Sequence, residues 1–143
     1  MSNAYFKVPQ PINEPVKAYK PGSPEREELK KKLTELKSKQ IEVPLIIGGE
    51  EVRTGNTEKM VIPHNHSHVL GVYHKASKKE VDMAVEAALE ARKTWSEMPW
   101  EHRVSVFLKI ADLLAGPWRS TINAATMLGQ SKTAYQAEID SAA

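Results

Sequence analysis

In the second half of the chain, apolar residues recur every three or four positions, the repeat of helices buried along one side. Val81, Ala84, Val85, Ala88, Ala91 and Trp95 share one side of a predicted helix that opens at Ser77-Lys-Lys-Glu80. That tetrapeptide has the form of a capping box, in which the hydroxyl answers the N3 amide and the N3 carboxylate reaches back. The side is mostly alanine, so its neighbour must come close. Pro99 ends this helix, and Val104, Phe107, Leu108, Ala111 and Leu114 mark the next, from Trp100 until Gly116-Pro117 breaks it. A further helix is predicted from Trp118 to Leu128 through Ile122 and Ala125, with Gly129 dividing it from a terminal one. On the last helix Tyr135, Ile139 and Ala142 form an apolar stripe, and no Gly, Asn or Pro closes it after Ala143. A stripe without a cap is what a helix cut short would show.

The first half has a different texture. Prolines at 9, 11, 15 and 21 forbid a regular helix up to Gly22 and favour extended backbone before each of them. Residues 1–22 are therefore an arm, and Tyr5, Phe6, Val8, Ile12, Val16 and Tyr19 give it apolar groups to bury. Ser23-Pro24-Glu25 starts a helix with a hydroxyl at the N-cap, Pro at N1 and an acid at the positive end of the dipole. Leu29, Leu33 and Leu36 form its narrow stripe. The basic run Lys30 to Lys32 is flanked by acids and lacks interleaved aromatics, so it is a solvated face. Val43 to Ile47, Gly48-Gly49 and Glu51 to Arg53 predict a hairpin. A turn at Gly55-Asn56, a strand from Lys59 to Ile62 and its partner from Leu70 to His74 complete a small antiparallel ribbon over residues 43–75.

Composition restricts the chemistry more than the fold. Of 143 residues, 41% are hydrophobic and 27% charged, values of a globular chain, and one domain's worth of helices carries wide apolar faces with no central sheet to cover. Twenty basic against 18 acidic side chains leave a net charge of +2, so no single-sign field points to nucleic acid or a membrane surface. No apolar run approaches the roughly 18 residues of a membrane-spanning helix, and no secretory or transit leader is visible. The cytoplasm is the expected compartment, or the mitochondrial matrix in a eukaryote. The chain contains no cysteine, which removes any thiol nucleophile or thiolate metal site within it.

His64, His66 and His68 alternate and could share one face of a strand as imidazole ligands. Pro63, Asn65 and Ser67 are loop formers, however, and no acid among them completes a first shell, so a polar turn is expected. Gly129-Gln-Ser-Lys-Thr133 evokes a phosphate loop but lacks Gly before the Lys and again five residues earlier, and it follows a helix instead of a strand. No Gly-x-Gly-x-x-Gly or Gly-x-Ser-x-Gly is present. Glu138 and Asp140, two apart, do not share a helix face, which argues against paired-carboxylate catalysis. No catalytic, cofactor-binding or metal-binding residue is assigned.

Several segments nevertheless carry a resemblance. Asn13-Glu-Pro-Val16, Gly22-Ser-Pro-Glu-Arg26, Ile47-Gly-Gly-Glu-Glu-Val52, Pro63-x-Asn-His-x-His68, Phe107 to Pro117, Met127-Leu-Gly-Gln-Ser-Lys-Thr133 and Gln136-Ala-Glu-Ile-Asp140 resemble the N-terminal part of the 1-pyrroline-5-carboxylate dehydrogenases. These belong to the aldehyde dehydrogenase superfamily, and the resemblance runs from about Asn13 to Ala143. It implies an α/β fold: residues 1–22 as an extended arm, and residues 23–143 as the N-terminal part of an aldehyde dehydrogenase NAD-binding domain that lacks the completed nucleotide-binding sheet. It also implies NAD-dependent oxidation of glutamate γ-semialdehyde to glutamate, in proline breakdown, by a full-length enzyme that is a homo-oligomer. In that family a Cys thiolate attacks the aldehyde and a Glu-activated water releases the acid. The nucleophile would lie outside these residues, and the chain alone would scaffold without catalysing. Two positions depart from the family pattern: Ser131 stands where Gly usually precedes the hinge Lys, and His64 where an aromatic or apolar residue often precedes Asn65. The alternative is a stand-alone helical interaction module derived from such an enzyme, using the Val81 to Trp95 and Val104 to Leu114 faces.

Overall fold

Proline at the first helical position and a run of good helix formers set α1 over Pro24–Ser38. In this computed structural model, which describes Tyr5 and residues 7–142, Ser23 precedes α1 with extended backbone but makes no side-chain cap. The backbone carbonyl of Ser23 instead accepts from the Arg26 and Glu27 amides. Leu29 is buried, and Leu33 and Leu36 pack partly buried beside it, the narrow stripe expected.

The predicted single ribbon is two sheets. Pro44 has no amide to give to a ladder, and it separates β1 (Ile41–Val43) from β2 (Leu45–Ile47) where one strand was expected. β2 pairs antiparallel with β3 (Glu50–Val52) across the Gly48-Gly49 turn, as the glycine pair predicts, and both glycines have positive φ. β4 (Thr57–Ile62) pairs antiparallel with β5 (Asn65–His74), and β1 joins the other edge of β5 in parallel, giving the order β1-β5-β4. A parallel partner across a long connection leaves no local sequence mark.

Gly71 makes that third strand possible. A Cβ there would run into the backbone of Ile41, whose amide nitrogen and carbonyl carbon would both stand 2.9 Å away and whose carbonyl oxygen closer still. Gly71→Ala should therefore detach β1 and cost about 1–3 kcal/mol. Amide exchange of Ile41–Val43 would rise while the β4–β5 pairing stays protected; unchanged protection at β1 would contradict the steric account.

Ser77 and Glu80 form the predicted capping box at the start of α2 (Lys78–Trp95). Ser77→Ala should lower thermal stability by about 1 kcal/mol, read from the unfolding midpoint. The β2–β3 hairpin approaches α2 at Ala87, outside the predicted face: a Cβ at Gly48 would lie 3.6 Å from that of Ala87, which is half-buried, while Ala84, Ala88 and Ala91 are exposed. The larger side chains have no such cover, and Val81, Val85 and Leu89 are exposed. α3 (Trp100–Ala115) buries no residue fully, with Phe107 and Ile110 in solvent.

α4 (Arg119–Gln130) is the best-buried helix, and its inward face is not the one its apolar residues suggest. Ala125 is exposed, whereas Arg119, Ser120, Asn123, Ala124 and Leu128 are buried. It packs along α1, where Tyr19, Leu29 and Ala124 make the small core. The break falls just beyond the predicted divide: Gly129 lies inside α4, and Ser131 takes the left-handed conformation that ends the helix. Thr133 and Gln136 then form a second capping box for the short α5 (Ala134–Ala137), which passes into a π-helical turn, Glu138–Ala142. Among the described residues no helix is long and apolar enough to cross a membrane.

Candidate functional site

The terminal stripe faces outward. Tyr135 and Ile139 are exposed, Ala142 is half-buried, and the residues that point into the protein are Ala137 and Glu138. Ala143, which would extend the stripe, lies outside the described residues. Glu138 is 0% exposed, and an ionised carboxylate at such depth requires partners for both oxygens.

α4 supplies two of those partners. Arg119 and Asn123 sit one turn apart on its inner face. Arg119 donates to Glu138 through Nε at 3.1 Å and more closely through Nη2, while Asn123 Nδ2 donates to Oε2 at 2.7 Å. The arm supplies the rest. The Lys17 amide donates to Oε1 at 2.8 Å and the Tyr19 hydroxyl to Oε2 at 2.6 Å. Arg119 is completed from the same side by the Pro15 carbonyl at 2.6 Å and by a close pair with Glu14. Extended arm, helix and π turn therefore meet on one buried ion pair.

The arm was expected to bury its apolar groups, but Tyr5, Val8, Ile12 and Val16 are exposed and only Tyr19 is buried; Phe6 lies outside the described residues. Polar anchoring is what holds the arm. Tyr19 has φ of 50°, an uncommon conformation for an aromatic residue, and Arg26 fixes it by donating to its carbonyl at 3.1 Å.

Burial pushes the Glu138 carboxyl up, but the hydrogen bonds from Arg119, Tyr19, Lys17 and Asn123 outweigh it and leave its pKa at about 2. Arg119 is correspondingly held cationic, its pKa raised by the bond to Glu138 against the cost of burial. Burial, followed by the bond to Glu138, raises Tyr19 to about 12. A carboxylate ionised throughout the physiological range, with four donors and no solvent access, is not available as an acid, base or nucleophile. The cluster joins the arm, α4 and the π turn.

The other candidates are also accounted for. β5 begins at Asn65, so His66 and His68 lie on a strand and not in the expected turn; pairing with β4 overrides the loop-forming Asn65 and Ser67. The three histidines do not converge, and no group of three His, Asp or Glu side chains able to hold a metal occurs among the described residues. His64 Nδ1 lies 2.7 Å from Ser131 Oγ. His74, unmarked by any motif, is the buried histidine: its Nδ1 accepts from the Thr54 and Gly55 amides at 3.0 and 3.2 Å, which assigns the proton to Nε2, 2.7 Å from Glu42. With both ring nitrogens engaged, it braces the β3–β4 connection. In the segment that evokes a phosphate loop, Lys132 is paired with Asp140.

A dinucleotide seat requires a glycine-rich turn from strand to helix, with the pyrophosphate on free helix amides. The passage from β5 to α2, Lys75-Ala76-Ser77, has no glycine. Ser77 Oγ takes the Lys79 amide and Glu80 places a carboxylate 2.8 Å from the Ser77 amide, so an anion would be repelled there. This strand-to-helix passage is not a glycine-rich dinucleotide seat.

The family model described as the aldehyde dehydrogenase family matches residues 51–143, and the chain belongs to that family. Within it, the chain is 49% identical over 141 residues to delta-1-pyrroline-5-carboxylate dehydrogenase of Agaricus bisporus, covering 98% of this chain and 26% of the relative. It is 48% identical over 131 residues to the mitochondrial delta-1-pyrroline-5-carboxylate dehydrogenase of Homo sapiens, covering 92% and 23%. The crystal structure of the Mycobacterium tuberculosis delta-pyrroline-5-carboxylate dehydrogenase bound with NAD superposes with a TM-score of 0.95 at 47% identity, over 99% of this chain and 26% of that one. The chain thus spans about a quarter of the length of the curated relatives it matches.

The residues that organise the site, Glu14, Tyr19, Arg119, Asn123 and Glu138, escaped motif reading. Periodicity gave no signal for them, because the buried face of α4 carries Arg119, Ser120 and Asn123 beside only two apolar residues, Ala124 and Leu128.

Proposed function

We propose that this chain is the N-terminal portion of an NAD-dependent dehydrogenase that oxidises L-glutamate γ-semialdehyde, formed from 1-pyrroline-5-carboxylate, to L-glutamate in proline catabolism. The whole protein is the enzyme, and these residues serve it as scaffold. The observation that carries this reading is end-to-end similarity to 1-pyrroline-5-carboxylate dehydrogenases, 98% of this chain against 26% of the Agaricus relative. The lack of cysteine agrees with it, since the nucleophile would be supplied elsewhere. The exposed faces of α2 and α3 are then surfaces for the rest of the catalytic domain. We place the protein in the cytoplasm, or in the mitochondrial matrix of a eukaryote, and expect a homo-oligomer; the human relative is named as mitochondrial.

The exposure of Val81, Val85, Leu89, Phe107 and Ile110 also suits a second reading, an independent module that binds a partner helix. One experiment separates the two. Immunodetection of the native protein with antibodies raised against this chain should reveal a species several times larger than 16.0 kDa, and that species should reduce NAD with 1-pyrroline-5-carboxylate. A native species of 16.0 kDa would overturn the dehydrogenase reading, because it contains no cysteine, and would favour the module.

A further inference from the structure

The helical layer and the β1-β5-β4 sheet meet over a narrow joint. β4 touches α4, and Ile62 at the end of that strand is 1% exposed. Just beyond it, the turn at Pro63-His64 reaches the left-handed break between α4 and α5, where His64 Nδ1 and Ser131 Oγ stand 2.7 Å apart across 67 residues of sequence. Among the described residues this is the one side-chain hydrogen bond from that sheet to α4, α5 or the break between them.

Ser131 has φ 55° and ψ 31°, a conformation that crowds Cβ against the following carbonyl and is normally given to glycine at a helix end. A serine here adds strain that glycine would not. Its hydroxyl, however, is the group that His64 engages. Strain and bond fall on the same residue and oppose each other.

We infer that His64 and Ser131 are a coupled positioning pair: the hydrogen bond holds Ser131 in its left-handed conformation and pins the β4–β5 turn to the break, thereby setting where α5 and the π turn lie relative to the sheet. The inference concerns this chain's own residues and does not depend on the dehydrogenase reading. Its consequence is that the exposed Pro63-His64 turn is mechanically linked to α5, more than sixty residues away along the chain.

The test is a double-mutant cycle with Ser131→Ala, Ser131→Gly and His64→Ala, read by urea unfolding and by amide exchange. Ser131→Ala keeps the strain and loses the bond, so the folding equilibrium constant should fall by about tenfold. Ser131→Gly loses the bond and relieves the strain, and should stay within roughly threefold of the parent. His64→Ala should weaken folding when made alone and have no effect when added to Ser131→Gly. Made alone, it should also speed exchange of the Ala134–Ala137 amides, which a bond important only to its own turn would leave unchanged. Equal losses from Ser131→Ala and Ser131→Gly, or an effect of His64→Ala that is the same in both backgrounds, would overturn the inference. So would α5 exchange that does not respond.

Discussion

Glu138→Gln is expected to destabilise the chain by about 3–5 kcal/mol, because it removes one charge of a buried pair and leaves the other. The amide also places a donor among groups that all donate to the carboxylate: Arg119, Asn123, Tyr19 and the Lys17 amide. One of them must face a donor or go unpaired. Replacing both members together, Arg119→Met with Glu138→Leu, should cost clearly less than the sum of the single changes, since no fully buried charge is stranded and the Glu14 carboxylate released from Arg119 reaches solvent. Urea unfolding of the parent, the two single variants and the double variant at neutral pH measures this. Additive losses would show that the pair does not act as a unit.

The same carboxylate imposes an acid limit. Its folded pKa of about 2 lies below the ordinary carboxylate value, so it contributes stability above that ordinary value and loses the contribution as pH falls toward 2. Stability of the parent should therefore decline between roughly pH 5 and pH 2, and the gap between parent and Glu138→Gln should narrow over that interval. A gap that stays constant down to about pH 2.5 would mean that the carboxylate is not held ionised by its neighbours.

Deletion of residues 1–18 should be the next most damaging change, although among the described residues it removes no helix, strand or fully buried apolar side chain. The cluster loses the Glu14 carboxylate, the Pro15 carbonyl and the Lys17 amide. We expect a loss of about 2–4 kcal/mol, on the scale of hydrogen bonds to charged groups. With one donor fewer, the Glu138 carboxyl moves back toward the ordinary range, so acid unfolding should start at higher pH than in the parent. A truncated chain with an unchanged urea midpoint would show the arm to be an accessory.

Where structure is decided within a few residues, the sequence announced it. Ser77 and Glu80 cap α2 as read, Gly48-Gly49 turns β2 into β3, and Pro24 begins α1. Where a distant partner decides, it did not. Pro44 splits an expected strand because β1 finds its place in parallel beside β5, and no periodicity encodes that choice. The apolar stripe of Tyr135 and Ile139 faces outward, and apolar spacing alone cannot distinguish a face covered within these residues from one covered by something else. Glu138 was dismissed on its distance from Asp140, a local criterion, when its partners come from the arm and α4. The family resemblance alone was legible at long range, carried by short runs such as Asn13-Glu-Pro-Val16 and Gln136-Ala-Glu-Ile-Asp140. Those two runs contribute Glu14 and Glu138, the two acids that meet at Arg119.

Closing Arg119 between Glu14 and Glu138 also has a kinetic consequence. The bonds that complete the cluster span 119 and 121 residues, so loop-closure entropy must be overcome before they contribute anything. During synthesis, α1 and the β strands emerge well before Glu138 does, and until then Arg119 and Tyr19 lack their principal partner. Consolidation of this unit is therefore a late event, timed by the release of the π turn from the ribosome, and until that moment the arm remains a site for chaperones and proteases.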